Sequence, residues 1–445
     1  MSDSPYWNPK NETLTRAELT RLQMTKLRRH VAWAIEKSPW HRRAYEKARV
    51  TPDDLRTLDD LRRLPFMTRE EWMASQAEHP LFGDLCTYPR ENAIRYHLTS
   101  GTSGRQPLRV LDGPRDWQWI SEAWAYGFWA FGIRPSDTVF FAFSYGSFIG
   151  FWGAHYCCEK IGALVIPSGN MTTENRVRQI VEMGATAVCA TPTYALRMAL
   201  EAEKMGVDLT KSKVKKLILS GEPGGSIPAM RRLLAEKWGG PRVGDTAGMT
   251  EIGTIMIFEC SHQPGGTHII EDHFIEEVLD PKTLEPVGYG EMGERVCTAF
   301  GRGMIPLIRY RAMDLVVKIP HTRCSCGRTF DIYEGGIQGR VDDMMLIRGT
   351  NVYPRAIEAI VREYAGVDEF QIIAWRNEQG YDELTVKLEF KPGSVADPAA
   401  LLKTITKDLI RNHEGLRINV EEAPAGALPR FELKAKRLVD RRKEN

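Results

Sequence analysis

Long apolar runs are missing from this chain of 445 residues: the longest, at 139–143 and 164–166, are strand-sized. A membrane-spanning helix needs roughly 20 such residues, so no membrane partner is expected. One-sided charge is missing too, since 60 Lys and Arg stand against 58 Asp and Glu. That balance leaves no electrostatic footprint for nucleic acid. The opening residues Met1, Ser2, Asp3, Ser4 and Pro5 lack the basic and apolar stretches of a secretory leader. Eight cysteines are too few to staple so long a chain and suit a reducing compartment. These absences point to a cytoplasmic protein, and neither an internal repeat nor a low-complexity segment is visible.

What is present is ordinary globular composition, 42% apolar, at a length that predicts two or three domains. Leu14, Leu19, Leu22, Leu27, Val31 and Ala34 recur at helical spacing and predict a helical region over 13–48. Thr68 followed by Glu71 has the form of a capping box. From 116 to 238 helical and strand patterns alternate, which predicts an α/β fold with largely parallel sheets. Short strands follow at about 255–335 as a β-rich subdomain, and a compact α+β unit begins near 341. The expected division is a large domain over 1–340, helical to about residue 80, and a small domain over 341–445.

The most informative stretch is 96–107. Thr99, Ser100, Thr102 and Ser103 offer hydroxyls, Gly101 and Gly104 let backbone N–H groups approach an anion, and Arg105 adds a cation. Gln106 and Pro107 replace the Lys-Ser/Thr of a Walker loop, so a polyphosphate loop between two strands is predicted. The competing reading is a flexible turn. Thr250 and Glu251, after Gly248, can hold an α-phosphate and a Mg²⁺ through oxygen ligands, or serve as a helix cap. Asp314 reads as an acid at a strand end suited to ribose hydroxyls, although acids are also common in turns.

In this order the motifs resemble the phenylacetate-CoA ligase family of the adenylate-forming acyl-CoA synthetases. The likeness rests on Thr99 to Gly104; Ser220, Gly221, Glu222 and Pro223; Gly248 to Glu251; Tyr310 to Asp314; Gly339 to Met344; and 429–437, with His155, Tyr156 and 271–274 as further signatures. It implies two steps: a carboxylate attacks the α-phosphorus of Mg-ATP and expels pyrophosphate, then the thiol of coenzyme A takes the acyl group and releases AMP. It also implies that Lys434 is the catalytic lysine, with Lys436 its near neighbour, and that Asp342 is the hinge of a mobile C-terminal domain. Asp245, Thr246, Asp314 and Arg340 join the Ser220 to Pro223 turn as nucleotide contacts. Two departures stand out: Leu433 replaces the usual glycine before the lysine, and Ala247 replaces an adenine-stacking aromatic. A homodimer is the oligomer the likeness suggests.

Cys260, His262 or His268, Cys324 and Cys326 make a thiolate and imidazole set of the kind that binds zinc, a site some members of this family carry. His268 is preferred because it follows a turn and opens a strand; the role would be structural. The acyl pocket is expected among Tyr145, Gly146, Phe148, Phe151, Ala247 and Gly248, beside Trp152 and the turn at Gly169 and Asn170. Aromatic walls favour an aryl or arylacetic acid such as phenylacetate. The same aromatics can fill space and leave room for a small branched or hydroxylated acid, with Ser144, Ser147 and Asn170 as partners. The rival readings are transfer of the adenylate to another acceptor and, outside enzymes, a nucleotide-binding regulatory module. The module has no need of Lys434 or the hinge.

Overall fold

The computed structural model of the protein describes residues 4–99, 106–150, 152–262, 265–348, 350–413, 415–431 and 435–442. The helical region expected over 13–48 is made of two helices, Arg16–Lys37 and Pro39–Ala48. Ser38 ends the first and caps the second, and Pro39, which has no N–H to donate, sits at the start of a helix where none is needed. Helix Arg69–Glu78 begins with the Thr68 and Glu71 capping box that the spacing predicts.

One sheet of twelve strands organises the large domain. Leu164–Pro167, Thr138–Phe141, Ala187–Ala190, Lys216–Leu219 and Arg242–Gly248 lie in that order, all parallel. Each crossover carries a helix, as parallel pairing requires. From Arg242–Gly248 the chain turns back at once into Ile255–Glu259, so pairing switches to antiparallel. Gly266–Ile269, Ile332–Glu334, Leu307–Ile319, Met292–Ala299 and Phe274–Leu279 continue it. The β-rich stretch is therefore the antiparallel half of the same sheet. Helix Pro114–Phe131 packs on this junction: a Cβ on Gly127 would lie 2.8 Å from Ile255 and 2.9 Å from Phe258. Its Trp117, Ile120, Tyr126, Phe128 and Phe131 are buried in the main core.

The structure moves one expected turn and one expected strand end into strands. Asp245 to Gly248 belong to Arg242–Gly248, because pairing with Lys216–Leu219 on one side and Ile255–Glu259 on the other satisfies their backbone. Asp314 lies inside the long strand Leu307–Ile319, not at its end. A register shift against Met292–Ala299 and a positive φ of 62° at Met313 make an irregularity there that re-aims the acid.

The small C-terminal domain has its own apolar cluster, from Met345 to Leu438. Its four-stranded sheet runs Asn419–Glu422, Asp382–Phe390, Val367–Arg376, Leu438–Asp440, and helices Pro354–Val361 and Pro398–Asn412 accompany it. Among the described residues no helix is long and apolar enough to cross a membrane.

Candidate active site

The parallel strands end on one edge of the sheet, where open α/β sheets bind ligands. Tyr145 and Gly146 follow Thr138–Phe141, Gly169 and Asn170 follow Leu164–Pro167, Ser220 to Pro223 follow Lys216–Leu219, and Ala247 and Gly248 end Arg242–Gly248. Residues as far apart in sequence as Tyr145 and Gly248 thus line the same edge of the sheet. Gly221, Pro223 and Gly248 are exposed along it, whereas Ser220, Asp245 and Thr246 are buried. Thr246 donates to the carbonyl of Leu219 at 3.2 Å, and both oxygens of Glu222 accept backbone N–H groups, from Thr193 at 2.8 Å and Ala435 at 2.7 Å. Burial and the nearby Glu259 carboxylate push the Asp245 carboxyl up to about 7, against the opposing pull of Arg355 and Arg231.

Strands Arg95–Leu98 and Arg109–Asp112 pair antiparallel and flank the predicted phosphate loop. Ser100, Gly101, Thr102, Ser103, Gly104 and Arg105 lie outside the described residues, as do Phe151 and Lys434. The loop's two ends are joined by Arg69, which donates to the Thr99 hydroxyl at 3.2 Å and to the Gln106 carbonyl at 3.2 Å. The same guanidinium pairs with Glu251 at 2.9 Å, and the Tyr310 hydroxyl stands 3.5 Å from the same carboxylate oxygen. A cavity of about 440 Å³ opens here, lined by Arg69, Glu70, Met73 and Gln106. Buried Arg302 fixes the turn behind it, donating to the carbonyls of Thr250 at 2.9 Å and Glu251 at 2.5 Å while paired with Asp112. Arg69 carries no motif in the sequence; its place in the site comes from a contact across 182 positions.

Asp314 is held by an arginine on each oxygen, Arg340 at 3.1 Å and the fully buried Arg295 at 3.3 Å. Arg340 also forks onto Asp342 at 2.8 and 3.1 Å, so the expected ribose reader and the expected hinge share one guanidinium. Arg295 carries no motif in the sequence; its place beside Asp314 comes from the pairing of the strands Met292–Ala299 and Leu307–Ile319.

Tyr145 stands against Phe143 and Trp152, with ring centroids 4.8 and 4.7 Å apart. Its hydroxyl is 3.0 Å from His155 Nδ1, and His155 Nε2 is 3.1 Å from Glu159. Phe148 is exposed on this loop, which is tied to the phosphate-loop strand by the Leu98 N–H donating to the Ser147 carbonyl at 2.8 Å. The Ala247 side chain packs against the main core.

Cys260, His268, Cys324 and Cys326 are buried, with ligand atoms all within 4.8 Å of one another. Cys260 and Cys324 sulfurs are 3.6 Å apart, and Cys326 Sγ is 3.4 Å from His268 Nε2. Bonds of about 2.3 Å to sulfur and about 2.0 Å to nitrogen give tetrahedral edges of that size, and a disulfide would be far shorter. His268 Nδ1 donates to the Phe330 carbonyl at 2.9 Å, which leaves Nε2 facing the sulfurs. Burial opposes charge on His268, yet its hydrogen bonds to Cys324 and Cys326 carry it up to about 9. Hydrogen bonds from Cys260, Cys324 and His268 hold the Cys326 thiol far below the ordinary range. His262 is exposed and lies outside this group.

Residues 349–442 match the AMP-binding enzyme C-terminal domain. With the crevice above the parallel strands, that domain defines the class as an adenylate-forming enzyme. The chain is 34% identical to a phenylacetate-coenzyme A ligase of Thermus thermophilus, over 98% of this chain and 100% of the relative. It belongs to the phenylacetate-coenzyme A ligase family, and is an AMP-forming acyl-CoA ligase. A solved structure of a 2-hydroxyisobutyryl-CoA ligase in the postadenylation state, in complex with R3-HIB-AMP, superposes with TM-score 0.93 at 31% identity, covering 100% of this chain and 94% of the other. The same ligase in the thioesterification state gives 0.75 at 32% identity and equal coverage. The whole chain thus superposes more closely on the postadenylation structure than on the thioesterification structure.

Proposed function

We propose that the acid activated is an aryl or arylacetic acid such as phenylacetate, converted first to its acyl-AMP and then to its coenzyme A thioester. The observation that carries the choice is the aromatic wall of Phe143, Tyr145 and Trp152 at the crevice edge. Flat apolar faces there match a ring and fix it by offset or edge contacts. A second reading, a small hydroxylated acid, draws on the Tyr145, His155 and Glu159 chain, which sets a polar hydroxyl into that wall. A panel of carboxylic acids assayed for AMP and pyrophosphate release, with and without coenzyme A, decides. Phenylacetate or a close aryl acid giving the highest kcat/KM supports the first reading. A preference for small hydroxy acids supports the second, and pyrophosphate release without thiol-dependent turnover points to another acceptor.

In this reading the acid's carboxylate attacks the α-phosphorus, and the P–O bond to pyrophosphate breaks. Thr99, Ser100, Gly101, Thr102, Ser103, Gly104 and Arg105 hold the departing β- and γ-phosphates, where fixed donors and charge are worth most. Arg69 supports them from the side, because it already spans both ends of the loop. Ser220, Gly221, Pro223, Asp245, Thr246, Asp314 and Arg340 hold the nucleoside and Thr250 the α-phosphate, whereas both oxygens of Glu222, expected among the nucleotide contacts, are taken by backbone N–H groups. Glu251 is an oxygen donor suited to Mg²⁺, which when bound neutralises phosphate charge. Lys434 bridges carboxylate and α-phosphate in the first step. Asp342 is then the pivot about which the C-terminal domain moves to admit the thiol.

The zinc set of Cys260, His268, Cys324 and Cys326 fits a closed tetrahedral site with no open position, hence a structural role. Cytoplasmic location and a homodimer complete the reading; light scattering of the purified protein tests the latter.

A further inference from the structure

Glu222 spends its two carboxylate oxygens on donors from two domains. One accepts from Thr193, an N–H in the first turn of Pro192–Lys204 that has no partner within the helix. The other accepts from Ala435 of the C-terminal domain at 2.7 Å, and Ala435 directly follows Lys434 in the sequence. Two residues on, Arg437 anchors the segment at its other end. Its carbonyl accepts from the Ile372 N–H at 2.7 Å, and its guanidinium pairs with Glu369 at 2.7 Å and Glu358 at 3.3 Å, all within the C-terminal domain. The segment is therefore pinned to its own domain at 437 and to the large domain at 435.

The surrounding contacts form one docked face. Arg355 of helix Pro354–Val361 donates to the Ser226 hydroxyl at 2.7 Å and the Gly335 carbonyl at 2.9 Å. Arg437 reaches the Thr193 hydroxyl at 3.5 Å, beside the Glu222 contact, and Arg232 pairs with Glu363 at the rim. The chain that makes these contacts superposes on the postadenylation structure with TM-score 0.93, against 0.75 for the thioesterification structure.

We propose that Glu222 is a positioning residue for the adenylation step: its carboxylate latches the backbone at Ala435, the residue that follows Lys434 in the sequence, and lets go when the C-terminal domain turns for thioester formation. The proposal rests on the assignment of Lys434 as the adenylation lysine. A hydrogen bond to an ionised acceptor is directional and about twice as strong as a neutral one, yet exchangeable, which suits a latch used once per turnover. A glutamine at 222 must turn its NH₂ towards one of the two N–H donors and so keeps at most one bond.

The test uses the full-length protein with Glu222→Gln, Glu222→Ala, Ala435→Pro, which removes the N–H and leaves Glu222 in place, and Lys434→Ala. Acid-dependent pyrophosphate release without coenzyme A reads the first step; thioester formation from supplied acyl-AMP reads the second and reports that each variant is folded. The expected result is a fall of about 10- to 100-fold in the first step for Glu222→Ala and Ala435→Pro, the size of one charge-assisted bond, with Glu222→Gln, which keeps one neutral bond, between them and the wild type. The second step and the KM for ATP should stay within about threefold, and Glu222→Ala with Ala435→Pro should lose no more than either alone, as one shared bond requires. Equal loss in both steps, a raised KM for ATP with an unchanged rate, or no change at all overturns the latch. If Lys434→Ala itself spares the first step, the lysine assignment fails and the latch with it. If Lys434→Ala is slow while the Glu222 variants are not, only the latch fails.

Discussion

Asp245→Asn should remove a pH-dependent weakness from the joint between the sheet and the C-terminal domain. Asp245 is buried beneath Gly225 and Gly336, where added Cβ atoms would lie 2.5 and 3.0 Å from its oxygens, and it faces Ser226, Glu259, Arg231 and Arg355. Burial and Glu259 lift its folded pKa to about 7, against about 3.9 in an unfolded chain. Between those values the folded protein holds a proton that the unfolded chain has lost, so stability falls as pH rises across the window and levels off above it. At about 1.4 kcal/mol per unit the full span is about 4 kcal/mol, of which roughly 2–3 kcal/mol falls between pH 5 and 8. Asparagine keeps an acceptor for Ser226 and cannot ionise. Urea unfolding of both proteins at matched pH cancels the titrating groups that do not couple to Asp245, and the variant should gain on the wild type by roughly 2–3 kcal/mol from pH 5 to pH 8. A gap that stays constant over that range would refute the reasoning.

Zinc should co-purify at about one equivalent, fall below a tenth in Cys326→Ser, and its removal should loosen the N-terminus. Tyr6 donates to the Cys326 carbonyl at 2.9 Å, and Arg328, two residues on, pairs with Glu12 at 2.6 Å, so chelation should speed tryptic cleavage at Lys10 and Arg16. Cleavage unaltered by complete metal removal would separate the two. Arg69→Ala should raise the KM for ATP and slow adenylation by about 100-fold while leaving the KM for coenzyme A within twofold, the scale seen when a charge-stabilising donor is lost. Steady-state kinetics in all three substrates checks it, and an effect confined to coenzyme A would count against Arg69. Gly248→Ala should destabilise the protein by about 1–3 kcal/mol, because its Cβ would meet the Thr254 carbonyl oxygen at 2.5 Å, backbone that cannot swing aside. Thermal unfolding reads the loss.

Local chemistry made much of this fold legible. The Thr68 and Glu71 spacing names a real capping box, and the alternation over 116–238 becomes a parallel half-sheet, because periodicity and caps act within a few residues. Pairing partners act over long range. The β-rich stretch has strand patterns, but nothing in them says that Ile255–Glu259 will join Arg242–Gly248 and extend one sheet. Asp314 was visible as an acid beside apolar residues; the irregularity at Met313 that carries it was not, since a positive φ in a methionine has no sequence signature. Glu222 belonged to a recognisable turn, yet its partner Ala435 lies 213 positions away and no spacing rule reaches it. Arg69 and Arg295 are likewise single arginines among many, given meaning only by what folds against them.

The most direct measurement of the central claim follows oxygen. Phenylacetate labelled with ¹⁸O in its carboxylate, turned over with ATP and coenzyme A, should leave one ¹⁸O in the phosphate of AMP by mass spectrometry, since the carboxylate oxygen that attacks the α-phosphorus departs with it. AMP free of label, or label in inorganic phosphate or pyrophosphate, would contradict an acyl-adenylate.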